Sequence, residues 1–215
     1  MEKDTVLERI ENEKLIAIVR MSGEWETIKA TLDALALGGV TLIEITTSVP
    51  GAVGIVKYLS SIHGRRFLVG AGTVLDEHAA VSMMDAGAEF IVSPAVIEGV
   101  IAASNRTGVP VFPGALSPTE VWRAHDLGAD AVKVFPASLF GPSYLKALAG
   151  PLAGIRLIPT GGIDLMNIAS YVEAGSFAVG VGGGLIDMNA VRSGDWEAVR
   201  SGAAAYVAAV REATR

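Results

Sequence analysis

The 215-residue chain contains no cysteine. Disulfides, thiolate nucleophiles and Cys-ligated metals are therefore excluded from its chemistry. Histidine is scarce: His63, His78 and His125 are the only three. Each falls on a predicted helix or loop away from the strand ends, without a ligand-spaced partner, so no metal site is expected. No apolar run reaches the ~18 residues of a membrane span. No cluster of Lys and Arg stands out that would grip a phosphate backbone. With a net charge of −6, neither nucleic acid nor a membrane is an expected partner. The opening "MEKDTVLERIENEK" is charged and helical in pattern, unlike a signal peptide, and a cytoplasmic protein is expected.

What the chain has is apolar mass, with 51% hydrophobic residues, 19% charged residues and 25 glycines. Eight β-branched, apolar segments begin at Leu15, Thr41, Arg66, Phe90, Pro110, Ala131, Arg156 and Phe177, spaced 20 to 26 residues apart. Each interval holds one strand, a short loop and a helix of about three turns. Five of the intervening helices run out into glycine, in "ALGGV", "DAGAE", "RTGVP", "DLGAD" and "EAGSF". A left-handed C-cap suits each of them. No linker or composition shift interrupts the series, so residues 1–215 are expected to form a single domain. The predicted fold is α/β, a (β/α)8 TIM barrel with an N-terminal helix. An open doubly wound sheet is the competing arrangement. Eight units, with polar residues gathered at the strands' C-terminal ends, favour the barrel.

Those strand ends carry Arg20, Glu44, Thr73, Ser93, Lys133 and Thr160. Side chains alternate along a strand. In "AVKVF", Val132 and Val134 then face the helices, while Ala131, Lys133 and Phe135 face the interior. In "LIEIT" the same rule turns Leu42, Glu44 and Thr46 inward. The other five lysines lie on the N-terminal segment or on predicted helices. A buried Lys–Glu pair can be purely structural, yet barrel interiors are normally filled with branched apolar side chains. Taking an ammonium out of water favours the neutral amine, and a neutral amine can attack a carbonyl to form a Schiff base. The protonated imine is an electron sink for a carbanion on the neighbouring carbon. A carboxylate in the same dry pocket can move the protons this cycle requires. Lys133 and Glu44 together therefore point to a metal-independent aldolase that needs no cofactor. The glycine runs in "IPTGGI" and "VGVGGG" follow the last two strands, where barrels often cradle phosphate with backbone N–H groups.

Several motifs match a known family in order: "GGVTLIEITT", "VGAGTVLD", "AGAEFIVSP", "FPGALSPTE", "KVFPASLFGPSYLKALAGP" and "PTGGI". The chain resembles the class I 2-keto-3-deoxy-6-phosphogluconate (KDPG) aldolases, including those that also cleave 4-hydroxy-2-oxoglutarate (KHG). The resemblance implies that Lys133 is the Schiff-base lysine and Glu44 the proton-transfer carboxylate. It implies that Thr73 and Phe135 line the pyruvate end, with Pro94 nearby, and that Gly161, Gly162 and Gly183 cradle phosphate beside Thr160. It also implies a homotrimer acting on a small 2-keto acid. Two positions depart from the family pattern. Ser48 stands where many members carry an arginine, and Gly184 where many carry a serine. Arg20 is a candidate for the missing positive charge. The competing functions are a phosphosugar isomerase, epimerase or synthase on the same barrel, and a non-catalytic barrel module.

Overall fold

The computed structural model describes residues 2–62 and 67–215. Two positions named above, His63 and Arg66, lie outside the described residues. The strands are β1 (Leu15–Val19), β2 (Leu42–Thr46), β3 (Leu68–Gly72), β4 (Phe90–Val92), β5 (Val111–Phe112), β6 (Gly114–Ala115), β7 (Val132–Val134), β8 (Leu157–Pro159) and β9 (Val179–Val181). The helices that frame them are α1 (Lys3–Glu13), α2 (Trp25–Leu37), α3 (Ala52–Ser61), α4 (Glu77–Asp85) and α5 (Glu98–Thr107). They continue with α6 (Pro118–Asp126), α7 (Pro142–Ala149), α8 (Ile168–Glu173), α9 (Met188–Ser193) and α10 (Trp196–Ala213).

All pairings among the described strands are parallel, in a curled α/β sheet. It is assigned in two parts, one ordered β5-β4-β3-β2-β1-β9 and one ordered β6-β7-β8. The division corrects the expectation of a single strand at "PVFPGAL". Pro113 falls between β5 and β6, and proline has no N–H to give to a ladder. Its carbonyl still accepts from Lys133 N–H at 2.9 Å. On the other flank Thr160 bridges Gly180, and Phe177 N–H donates to Leu157 O at 2.9 Å. The five glycines that follow helices all hold positive φ, from 71° at Gly108 to 103° at Gly87, the conformation that ends a helix without a Cβ penalty.

Two apolar layers follow from the period-two alternation. Val132, Val134, Ile43 and Ile45 pack outward under the helices. Ala131 and Leu42 point inward and join Ile16, Leu68, Phe90, Phe112, Ile158 and Phe177. Val6, Leu7 and Ile10 of α1 complete this inner cluster. Side chains of α1 and of Lys14, which caps it, reach strand beginnings. Lys3 pairs with Asp130 at 2.7 Å, Arg9 donates to Thr41 O, and Lys14 donates to Ser176 O and Phe177 O. Helix α1 is thus a floor across the strands' N-terminal ends, leaving the opposite face open. Ile10 is wholly buried there. Ile10→Ala should cost about 2–5 kcal/mol in urea unfolding with kcat unchanged; a loss below ~1 kcal/mol would mean the floor is loosely packed.

Candidate active site

Lys133 sits mid-strand in β7 and Glu44 mid-strand in β2, both aimed into the interior above the apolar floor. Their side chains are 6% and 3% exposed, and Lys133 Nζ lies 3.9 Å from Glu44 Oε1. That separation is beyond hydrogen-bond reach, so neither group locks the other. Glu44 Oε1 has no hydrogen-bond partner among the described residues. The amine also lies 5.5 Å from the centroid of the Phe135 ring. Ile16, Val92, Phe112 and Ile158 wall the space below the pair, and Thr160 and Gly180 border it as well. A charged pair in such surroundings contributes little to stability, and this weakens the purely structural account of it.

Above the pair opens a cavity of about 450 Å³, a volume suited to a small molecule. Arg20, Lys133, Phe135, Thr160, Gly161, Gly162 and Gly183, all singled out from sequence, line it. Glu44 borders it from beneath, through the space it shares with Lys133 and Thr160. Besides Glu44, the expected residues Thr73, Pro94 and Ser48 do not line the cavity. Thr73 touches it indirectly, its hydroxyl accepting from the Arg20 guanidinium at 3.0 Å. Its own backbone is held at φ 56°, and Thr47 Oγ1 donates to its carbonyl at 2.7 Å. Pro94 is half-buried, its carbonyl closing on Gly114. Ser48 is exposed and shares a 2.9 Å hydrogen bond with Thr46 Oγ1.

Ile163, Gly180 and Gly182 of the two glycine runs also line the cavity, as do Ile18 and Asp164, which sequence reasoning missed. Ile18 stands two residues before Arg20 on β1, so alternation alone would have found it. Asp164 follows the glycine turn directly in "TGGID". The turn needs its glycines: Gly161 and Gly162 have φ of 92° and 73°, and a Cβ on Gly162 would lie 2.4 Å from Ser138 Cβ. His78 and His125 are exposed on α4 and α6, remote from this cavity. Among the described residues no group of three or more His, Asp or Glu side chains is placed to hold a metal ion.

Comparison with known proteins bears directly on this geometry. The model of the KDPG and KHG aldolase family matches residues 6–201. The chain belongs to that family. It is 34% identical over 196 residues to the 2-dehydro-3-deoxy-phosphogluconate aldolase of Treponema pallidum, covering 91% of this chain and 92% of the relative. It is also 34% identical over 203 residues to the 2-dehydro-3-deoxy-6-phosphogalactonate aldolase of Escherichia coli, covering 94% and 96%. Among solved structures it superposes with TM-score 0.85 on the Legionella pneumophila KDPG aldolase, captured with pyruvate as a covalent carbinolamine. Identity there is 26%, over 95% of this chain and 98% of the other.

As a KDPG/KHG aldolase family member, the chain has a structural reason for glycine at position 184. A Cβ there would lie 2.7 Å from the Tyr206 hydroxyl and 3.1 Å from Ile163 O. Tyr206 comes from α10, and its buried hydroxyl occupies the space that a serine would need. Burial first, and then the Asp164 carboxylate, raise this phenol above its ordinary range, while the Leu165 N–H acts to lower it. Gly184→Ser should therefore destabilise the protein by about 1–3 kcal/mol, as overpacking does. The loss should shrink when Tyr206→Phe is added. Equal loss with and without the hydroxyl in thermal unfolding would refute the collision.

Proposed function

We propose that this protein is a class I, metal-independent aldolase that splits 2-keto-3-deoxy-6-phosphogluconate, or its galactonate epimer, into pyruvate and glyceraldehyde 3-phosphate. The observation that carries this reading is Lys133, buried in a strand, with Glu44 Oε1 3.9 Å away and without a hydrogen bond among the described residues, beneath a small-molecule cavity. The Lys133 amine adds to C2 of the keto acid, and loss of water gives the iminium. Glu44 moves the protons of this addition and dehydration, then accepts the C4 hydroxyl proton and returns a proton to C3. Removal of the C4 hydroxyl proton then lets C3–C4 break, its electrons drawn into the iminium to give an enamine, and the aldehyde leaves. Protonation at C3 and hydrolysis release pyruvate and free the amine. General acid–base assistance of this kind contributes about 10²–10⁴-fold.

Gly161, Gly162 and Gly183 take the phosphate end in this reading, Phe135 and Thr160 flank the keto acid, and Arg20 supplies positive charge. Thr73 holds Arg20, while Pro94 and Ser48 shape the rim. The curled sheet is read as a closed eight-stranded barrel, with β5 and β6 as one strand interrupted at Pro113, supported by the bridge from Thr160 to Gly180. Residues 1–215 are taken as one domain. A homotrimer is also proposed. In its support, exposed Trp25 and Tyr58, with ring centroids 5.0 Å apart, flank an apolar groove between α2 and α3. A light-scattering mass of one chain at micromolar concentration would contradict the trimer.

Borohydride reduction in the presence of pyruvate, followed by peptide mapping, tests the central reading. The adduct should fall on Lys133; an adduct on any other lysine, or none at all, would overturn it. Substrate range is a second test. With Ser48 and Gly184 in place of longer donors, both the six-carbon phosphate and 4-hydroxy-2-oxoglutarate should be cleaved. Their kcat/KM values should differ by less than about 10⁴-fold, or roughly 5.5 kcal/mol of transition-state discrimination.

A further inference from the structure

The inward face of β3 is nearly bare. By alternation its inward positions are Leu68, Gly70 and Gly72, and the two glycines leave room that other side chains take up. A Cβ on Gly70 would lie 2.1 Å from the Phe90 ring. A Cβ on Gly72 would lie 1.8 Å from Glu44 Oε1, 2.4 Å from Cδ and 2.6 Å from Cγ. Real Cβ atoms never approach so closely, so no residue larger than glycine fits while Glu44 keeps this position. Gly72 does not owe its glycine to backbone conformation, since it is absent from the positive-φ positions.

The strand register explains how the carboxylate gets there. Glu44 is level with Gly70 and Thr46 with Gly72, so the Glu44 side chain leans one inward position up β3 and lies over the bare Gly72 backbone. Buried carboxylate oxygens are normally fixed by hydrogen bonds, yet Oε1 has none among the described residues. Shape has to do the work that hydrogen bonds do elsewhere. We propose that Gly72 is a positioning residue for the reaction: its missing side chain forms the notch that seats the Glu44 carboxylate toward Lys133. The notch touches no substrate and acts only through Glu44. The inference rests on Glu44 being the proton-transfer group, as proposed above.

Gly72→Ala separates this role from a purely structural one. A methyl in the notch should displace the carboxylate and lower kcat by about 10²-fold, the low end of general acid–base assistance. KM should change by less than about threefold. Deuterium exchange into the pyruvate methyl group, which needs the base but no aldehyde, should fall in parallel with kcat. Borohydride should still trap pyruvate on Lys133 on prolonged incubation, at a rate reduced in step with kcat, because the amine itself is untouched. A folded Gly72→Ala protein with wild-type kcat and exchange would overturn the proposal, as would loss of trapping together with turnover. Stability gives an arm that needs no activity. Gly72→Ala should lower Tm in the wild-type background but hardly at all in a Glu44→Ala background, where the colliding atoms are gone. An equal drop in both backgrounds would overturn the notch. If wild-type protein forms no pyruvate adduct, the aldolase reading fails, and the Tm cycle still judges the contact between Gly72 and Glu44.

Discussion

Lys133→Arg should bring turnover down to the uncatalysed background while leaving the protein folded. Arginine keeps the positive charge and most of the length, but its guanidinium is not released as a neutral amine in proteins. It therefore cannot form the imine. No second group can take over, since the other lysines lie elsewhere: Lys3 and Lys14 hold strand beginnings at the floor, and Lys29 pairs with Asp33 on the outside of α2. Lys133→Met makes the same chemical deletion and fills the space with an apolar chain of similar length. Removing one partner of a buried pair usually strands the other, but these two groups stand 3.9 Å apart without a hydrogen bond, and the substitution also removes a desolvated amine. Melting of Lys133→Met should therefore be no lower than that of wild type. Steady-state assays with a lactate dehydrogenase couple for pyruvate, run beside circular dichroism melts, check both statements. Retention of even one per cent of wild-type kcat by folded Lys133→Arg would place the nucleophile elsewhere.

Glu44→Gln should slow kcat by about 10²–10⁴-fold without preventing the imine. Glutamine keeps the shape that Gly72 accommodates, so the change isolates the proton-accepting function. Carbinolamine formation and dehydration then depend on water, and the adduct should build up over longer times. Single-turnover trapping makes the distinction: pyruvate should still label Lys133 on prolonged incubation with borohydride, at a rate reduced in step with kcat. Full-rate turnover in Glu44→Gln would show that another group moves the protons. Asp164 would then be the first to replace, as a carboxylate that lines the cavity.

Much of this arrangement is legible in the sequence, because local rules govern the parts that matter most. Period-two alternation sets Leu42 and Glu44 on one face of β2, and Ala131 and Lys133 on one face of β7. Glycine after a helix predicts a left-handed cap, and Gly39, Gly87, Gly108, Gly128 and Gly175 all adopt it. The features that escape a sequence reading depend on contacts between distant segments. Gly184 looks like the loss of a donor until Tyr206, 22 positions later on α10, is seen to occupy the space. Gly72 looks like an ordinary position near the end of a strand, and its purpose appears only once the neighbouring strand lays Glu44 across it. Ser48 is in the right loop to meet substrate, yet its hydroxyl turns to Thr46, a choice between two nearby partners that spacing cannot decide. Pro113 is visible in the sequence, but how far the ladder is interrupted depends on which strand faces its missing N–H.

The floor formed by α1 gives the protein a defined back side. Asn12 and Glu8 of that helix are exposed, on the side away from the mouth that holds Lys133. Because the chain has no cysteine, Asn12→Cys would provide the sole thiol in the molecule. Maleimide attachment through it would bind every copy to a bead or electrode in one orientation, with the mouth facing the flowing solution. The same thiol would carry a fluorophore to a point that reports on loss of the floor without standing in the path of substrate.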